Sequence, residues 1–570
     1  MGLAYKQLAK QLASNKIFIT LLFLLTILTS LSFFFVKFSI DGNMETLNSL
    51  PSLSENQVLY EAALNSNTVL ANMFILSLTS LTSFVFVMFF YRFFRENRKQ
   101  IGCLKSLGYK NSYLRLYFVI FTAALSVVGA LLGLMGGYFL SNILIQANTR
   151  TYAVTGLIRG VNAFSFFIGV IASTIIFCLV TFFCYFFIKG KEVGELLAGK
   201  QTRNRLSPML KAANRVACFI PIKNKLPLRI ALRKPVAVLM ILVAVMSFNV
   251  CMILGYSLNI SSKDVFATQT IGHNYEYDSH FKGYRTETVP TDAMAYLDYT
   301  ASLFISEQEV HQKIVGFYNM NSTYKLQDDK GNLLSTPGKG LIYVNPGLVE
   351  VYGVAIGDVL TIDLSGTNHN FTVTGIAENA KSASVYVNAD ELAEILSIPS
   401  GEYNGLLSMD EVKDCEEMIT KDQRIEELNR NAVSNKISGV INQVIGCVVG
   451  AILIFLALLI NFQDNTRDIL ILNMMGYRIK AIRKLLIDVY LPIVLFFFVI
   501  SIFPSILTAK AIQKSLSIST GDYMPFGTNI NVIFLVFAFL NIIYWIVKSI
   551  SILGVRRVIA KEEISEYTNF

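Results

Sequence analysis

Apolar residues in this chain gather into eight long runs with few or no charges, near 17–38, 68–92, 116–145, 163–188, 236–259, 437–462, 485–508 and 531–553. A run of about 20 apolar residues is long enough to cross a bilayer as a helix. The pattern predicts a polytopic α-helical membrane protein with eight transmembrane helices. One long interval, 260–435, breaks the pattern, because its apolar residues fall into short or alternating runs. It predicts a single mixed α/β extracytoplasmic domain. The spans divide into two four-helix repeats, each with one helix, an outward segment and three helices, in parallel topology.

The expected organisation is 1–38 for the N-terminus and first span, 39–66 for a short outer segment, and 67–188 for spans two to four. A linker, 189–235, carries Pro208, Pro221, Pro227 and Pro235. The fifth span is 236–259, the domain with its stalk helix 260–435, spans six to eight 436–553, and the tail 554–570. Lys6, Lys10 and Lys16 precede the first span as they would in a signal peptide. The apolar run from Ile17 to Val36 is too long for one, and no small-residue cleavage site follows.

Inside the domain, Gly340–Asn345, Val359–Leu364, Phe371–Ile376 and Ser384–Asn388 read as strands. Pro346–Tyr352 and Ala389–Leu396 read as helices, the former with proline in its first turn. Asp328–Asn332 reads as a hairpin-type turn. From Asp410 to Asn435 the sequence looks helical and runs without a breaker into the sixth span. Ser54-Glu55-Asn56-Gln57 resembles a capping box ahead of the second span. These two segments predict two stalk helices rising from the membrane.

A repeated polar edge links the halves. Arg98, Lys99, Gln100, Ile101, Leu104, Lys105, Leu107 and Gly108 follow the second span. Arg467, Asp468, Ile469, Leu472, Met475 and Gly476 follow the sixth. Ile101, Leu104 and Leu107 recur at helical spacing, as do Ile469, Leu472 and Met475, and each stretch ends in glycine. Two short amphipathic helices suggest two equivalent docking points for a soluble partner. In the third span, Gly129, Gly133 and Gly137 form a doubled small-xxx-small pattern that predicts close helix packing.

Charge sets the expected orientation. The loop from Tyr91 to Arg115 holds seven Lys/Arg and one Glu, and the segment from Lys189 to Lys234 twelve Lys/Arg and two Glu. Both belong inside by the positive-inside rule, as do both termini. The domain interval holds twelve Lys/Arg and twenty-six Asp/Glu, so the net +9 arises from basic rims beside anionic lipid and does not indicate nucleic-acid binding. Of the seven cysteines, only Cys415 lies well within the domain, so no disulfide forms inside it. His273, His280, His311 and His369 have no metal-ligand spacing and read as ordinary surface histidines. No P-loop, G-x-S-x-G or H-E-x-x-H motif occurs. Ionisable groups deep in a span are also lacking, which argues against an ion-coupled carrier.

The stretch Arg98-Lys-Gln-Ile-Gly-Cys-Leu-Lys-Ser-Leu-Gly108 resembles the signature of FtsX-like permeases, the MacB-type (mechanotransmission, type VII) ABC transporter subunits. Arg467-Asp-Ile-Leu-Ile-Leu-Asn-Met-Met-Gly476 is a weaker second copy, and the family's glutamate is replaced by Gln100 and Asp468. Tyr343 through Asp358 to Val385-Tyr-Val resembles the family's extracytoplasmic core domain. By this resemblance, both stretches are coupling helices for a separate ABC ATPase, which alone binds ATP and Mg. The chain itself is then non-catalytic, holds no cofactor, and binds two ATPase copies, with a dimer of permeases as the runner-up. The implied role is export or extraction of an amphipathic compound such as an antimicrobial peptide or lipid. The alternative is an ATP-driven signalling scaffold that activates a cell-wall hydrolase or sensor kinase. The Lys-, Ile-, Phe- and Asn-rich composition fits a Gram-positive cell membrane.

Overall fold

Helix formation follows the apolar runs closely, because a helix satisfies every backbone polar group internally where no water is available. The computed structural model describes residues 2–50, 55–152, 154, 156–190, 193–198, 235–290, 292–305, 308–381, 383–464, 471, 474–478, 488, 490–520 and 523–568. Among them, eight helices are long and apolar enough to cross a membrane: Lys16–Asn48, Asn67–Glu96, Asn111–Thr149, Ala163–Cys184, Ala237–Thr270, Lys436–Leu459, Tyr490–Ile518 and Ile530–Ile550. The fourth is not uniform, since Phe167–Ala172 is a π-helical segment.

Several helices overrun their apolar windows. The first continues to Asn48, the second begins at Glu55 and the fifth continues to Thr270. Ser54, the proposed cap of the second span, lies outside the described residues, as does most of the linker. The helix that carries the sixth span begins at Lys421 and ends at Asp464. Reading helix from Asp410 was wrong. Residues Glu417–Thr420 form a short strand on the sheet edge, and the helix starts only after it. A reciprocal capping box marks that start: Gln423 N donates to Thr420 Oγ1 (3.2 Å), while Thr420 N donates to Gln423 Oε1 (2.8 Å).

Between the fifth and sixth spans lies the α/β domain. Its strands are β1 (Tyr277–Arg285), β2 (Met294–Ile305), β3 (Gln308–Phe317), β4 (Leu341–Val344), β5 (Val359–Leu364), β6 (Thr367–Ile376), β7 (Ser384–Asn388), β8 (Tyr403–Ser408) and β9 (Glu417–Thr420). The order β3-β7-β4-β6-β5-β2, with β2 also pairing β3, closes six strands into a ring. Closure removes the edges that these six strands would present as an open sheet. Long β2 makes it possible: one edge pairs β3 along its length, and the other is shared between β5 at Ser302–Phe304 and β8 at Met294–Tyr296. Strands β8, β1 and β9 extend from there. Leu297, Leu303, Ile314, Ile342, Ile362, Phe371 and Val385 fill the ring. Helices Pro346–Tyr352 and Ala389–Ile395 form as expected, each capped by an asparagine, Asn345 and Asn388.

All eight spans contribute to one apolar core that runs through both halves. The halves are therefore packed into a single bundle.

Candidate functional site

The short helix Arg98–Ser106 is separated from the second span by a bend at Asn97, whose side-chain Nδ2 donates to the Phe93 carbonyl (2.9 Å). Ile101 and Leu104 are buried, and both join the core that includes Leu196 of helix Val193–Ala198. That helix belongs to the interval read as a linker, and it packs on the Arg98–Ser106 helix. The other side of the amphipathic helix is open: Lys99 and Gln100 are exposed, Arg98 and Lys105 half-buried, and Leu107 is 68% exposed. Burial pulls the Lys105 ammonium below its usual value.

A Schellman motif ends the helix. Tyr109 N donates to the Leu104 carbonyl (3.2 Å) and Gly108 N to that of Lys105 (3.0 Å). This geometry places Gly108 at φ +88°, a conformation natural only to glycine. In the second copy, Arg467, Asp468, Ile469 and Leu472 lie outside the described residues. The end of that copy is described, and it matches the first. Gly476 has φ +81°, Met475 is 66% exposed, and Met475 N donates to the Ile471 carbonyl (3.0 Å), as Leu107 N does to Cys103 (3.1 Å). Among the described residues, two of the eight long apolar helices precede the first copy, five precede the α/β domain and six precede Met475, each counted as one crossing. Both helix ends therefore lie on the membrane face opposite the domain.

Gly129, Gly133 and Gly137 sit where the third span crosses the first. A Cβ at Gly133 would stand 2.6 Å from the Ile27 carbonyl oxygen, and one at Gly137 would stand 2.7 Å from Phe34 Cβ; at Gly129 it would meet Thr26. Only hydrogen fits at these contacts, so the stripe brings two backbones together. The second half uses a different pair of helices for the same purpose. A Cβ at Gly439 would lie 2.6 Å from the Gly255 carbonyl oxygen, and one at Gly446 would lie 2.6 Å from Cys251 Cβ. Sequence reading missed this seam, although Gly439, Gly446 and Gly450 share one helical face.

Where the domain meets the fifth span, Asn379 makes the junction. Its Nδ2 donates to the carbonyls of Ile271 (2.8 Å) and Lys325 (2.7 Å), and its Oδ1 accepts from Gln327 N (2.8 Å). His273 sits beside it with Nε2 on the Asn379 carbonyl (2.9 Å) and its ring edge-on to Tyr324. It is no surface histidine: only 3% is exposed, and burial pulls it down to about 3. Nearby, Lys381 Nζ reaches Asp278 Oδ2 at 2.6 Å, and Tyr296 donates its hydroxyl to Asp278 Oδ1 (2.6 Å). Burial works to raise the Asp278 carboxyl, but Lys381 and Tyr296 bring it below its ordinary value. Among the described residues no group of three or more His, Cys, Asp or Glu is placed to hold a metal ion.

The Asn379 loop also walls a cleft of about 520 Å³ between the domain base and the ends of the fifth and seventh spans. Asp264, Glu309, Glu378 and Lys381 supply its charged groups, and Val351 and Tyr523 part of its apolar wall.

The model described as FtsX-like permease C-terminal matches residues 72–193 and 443–559. Each match takes in the last three spans of one half and the stretch that contains its glycine-ended helix. No curated protein matches the chain. The chain thus carries two FtsX-like permease regions, of the kind found in the membrane subunits of ABC transporters, at equivalent places among its eight long apolar helices.

Proposed function

We propose that this permease is of the MacB type and transmits work done by ATPase subunits across the membrane to the α/β domain. One observation carries the reading. The Arg98–Ser106 helix buries Ile101 and Leu104 against its own chain while Lys99, Gln100 and Leu107 face out, on the side away from the domain. An amphipathic helix fixed on one side and open on the other is suited to a partner that pushes on it. Arg467, Asp468, Ile469, Leu472, Met475 and Gly476 would form the second handle, so one chain would engage two ATPase copies. Basic loops support a cytoplasmic position for the handles and an outer one for the acidic domain, and the Lys-, Ile-, Phe- and Asn-rich composition supports a Gram-positive cell membrane. ATP and Mg would be held by the partner only.

The continuous helices Pro235–Thr270 and Lys421–Asp464 connect the membrane to the domain without an intervening loop. Motion at the cytoplasmic face would thus reach the domain through stiff rods. Its purpose would be export or extraction of an amphipathic compound, a peptide or lipid. Charge reversal at Lys99 and Lys105 together with Arg467 is expected to reduce recovery of the co-expressed ATPase on the tagged permease at least tenfold. Unchanged recovery, with the permease still folded, would overturn the assignment.

A further inference from the structure

The cleft beneath the domain combines two properties that seldom coincide without a ligand. Its volume of about 520 Å³ lies within the range of small-ligand sites. Its walls are apolar at Val265, Leu348, Val351, Tyr352 and Pro525, yet three carboxylates, Asp264, Glu309 and Glu378, line the same space. Lys381, the one lysine among the described residues that line the cleft, is already held at 2.6 Å by Asp278. His311 is engaged with Ser302, which also donates to Glu309 (2.6 Å). On the outer side of helix Pro346–Tyr352, Glu350 has Lys510 at 3.7 Å. The cleft is thus left negative.

Burial first, then the charges of Asp329 and Glu350, raise the Glu378 carboxyl above its ordinary value. Burial and the charges of Glu378, Glu350 and Asp264 likewise raise the Tyr523 hydroxyl. Such groups gain from a cation brought among them. An anion would be repelled, and a neutral apolar molecule would desolvate the carboxylates without compensation.

We propose that this cleft binds the cationic, amphipathic segment of a peptide, with a basic side chain between Glu378 and Asp264 and an apolar neighbour against Val351 and Tyr523. The occupant would touch the tie between domain and membrane, because Ala380, in the same wall, accepts a hydrogen bond from Gln269 of the fifth span. Binding here gives the transport reading its substrate class and rests on that reading for its purpose. It is measured on the permease alone, without ATPase or nucleotide, so failure to bind is distinguishable from failure to couple.

The test uses the purified full chain in phosphatidylcholine nanodiscs and a fluorescein-labelled peptide of alternating lysine and leucine, read by anisotropy. Saturable binding is expected. It should weaken at least tenfold in the Asp264→Asn/Glu378→Gln double variant and in Val351→Trp, which fills the cleft. The same peptide with acetylated lysines, tested on the unaltered chain, should also bind at least tenfold more weakly, and this arm needs no variant to fold. Affinity within twofold in the carboxylate variant, equal binding of the acetylated peptide, or equal binding to empty nanodiscs would each overturn the proposal. Displacement by a lipid with a cationic headgroup, and not by unlabelled peptide, would overturn the peptide assignment and give the cleft to lipid.

Discussion

Leu107 and Met475 stand 368 positions apart and occupy the same structural place. Each is the last residue before a left-handed glycine, each donates its amide to the carbonyl four residues back, and the two are 68% and 66% exposed. A large apolar side chain left open at a helix end is available to a partner that covers it.

Substituting either residue should therefore leave the permease intact and weaken its partner contact. Leu107→Asp and Met475→Asp are each expected to lower ATPase recovery severalfold in co-purification, and together to abolish it. Thermal stability should move by less than about 0.5 kcal/mol, as for other exposed positions. Full recovery of ATPase with the double variant would show that these ends are not contact points.

The glycine stripe gives a second prediction. At Gly133 a new methyl meets the Ile27 backbone at 2.6 Å and Ser30 Cβ at 2.7 Å, atoms that cannot move without shifting the whole first span. At Gly136 it meets only the end of the Leu31 side chain, at 2.9 Å. Gly133→Ala should cost roughly 1–3 kcal/mol in overpacking. Gly136→Ala should cost far less. Equal shifts in the melting temperature of the detergent-purified chain would refute close packing as the role of the stripe.

Asn379 is 3% exposed and satisfies three backbone groups that join the fifth span to the domain. Asn379→Ala would leave those groups without their partner, at roughly 1–3 kcal/mol. Hydrogen exchange in the full chain should show protection around Lys325 and Gln327 falling about tenfold, since about 1.4 kcal/mol corresponds to that factor. Protection that stays at its original level would remove Asn379 from the junction.

Acid should loosen the same junction. His273 is held neutral, with its value pulled from near 6.5 to about 3 by burial. The unfolded chain therefore binds the extra proton first. Stability is fully present above about 6.5 and is lost as the pH falls toward 3, with a slope near 1.4 kcal/mol per pH unit from this one group. Asp278 is depressed too, so it adds a loss of the same sign, beginning near its unfolded value of about 3.9. Denaturant unfolding of the domain within the full chain, followed by hydrogen exchange between pH 7 and 4.5, should show the decline. His273→Gln should flatten it; an identical slope in the variant would assign the proton elsewhere.

Much of this architecture was legible along the chain because its signals are local. Eight apolar runs named eight spans, and Gly108 and Gly476 marked two helix ends whose geometry agrees. Gly129, Gly133 and Gly137 gave a packing stripe without naming its partner, since a stripe does not say which helix will cover it. Other features had weaker signals. Thr420, the last residue of β9, forms a capping box with Gln423, and reading helix from Asp410 overlooked it. His273 looked like any polar residue in an acidic domain, because nothing adjacent in sequence reveals that Tyr324 and Asn379 enclose it.

By itself, then, the order of residues determined the spans, the internal repeat, the two glycine-marked helix ends and the mixed character of the domain. Each of these depends on hydrophobic period, length or backbone freedom within a few turns of chain. Tertiary structure alone decided that six strands close into a ring, that Gly255 meets Gly439, and that Asp264, Glu378 and Tyr523 surround one cleft. Those relations bring together residues far apart in sequence, and their energies come from packing and charge, which exist only once the chain has closed on itself.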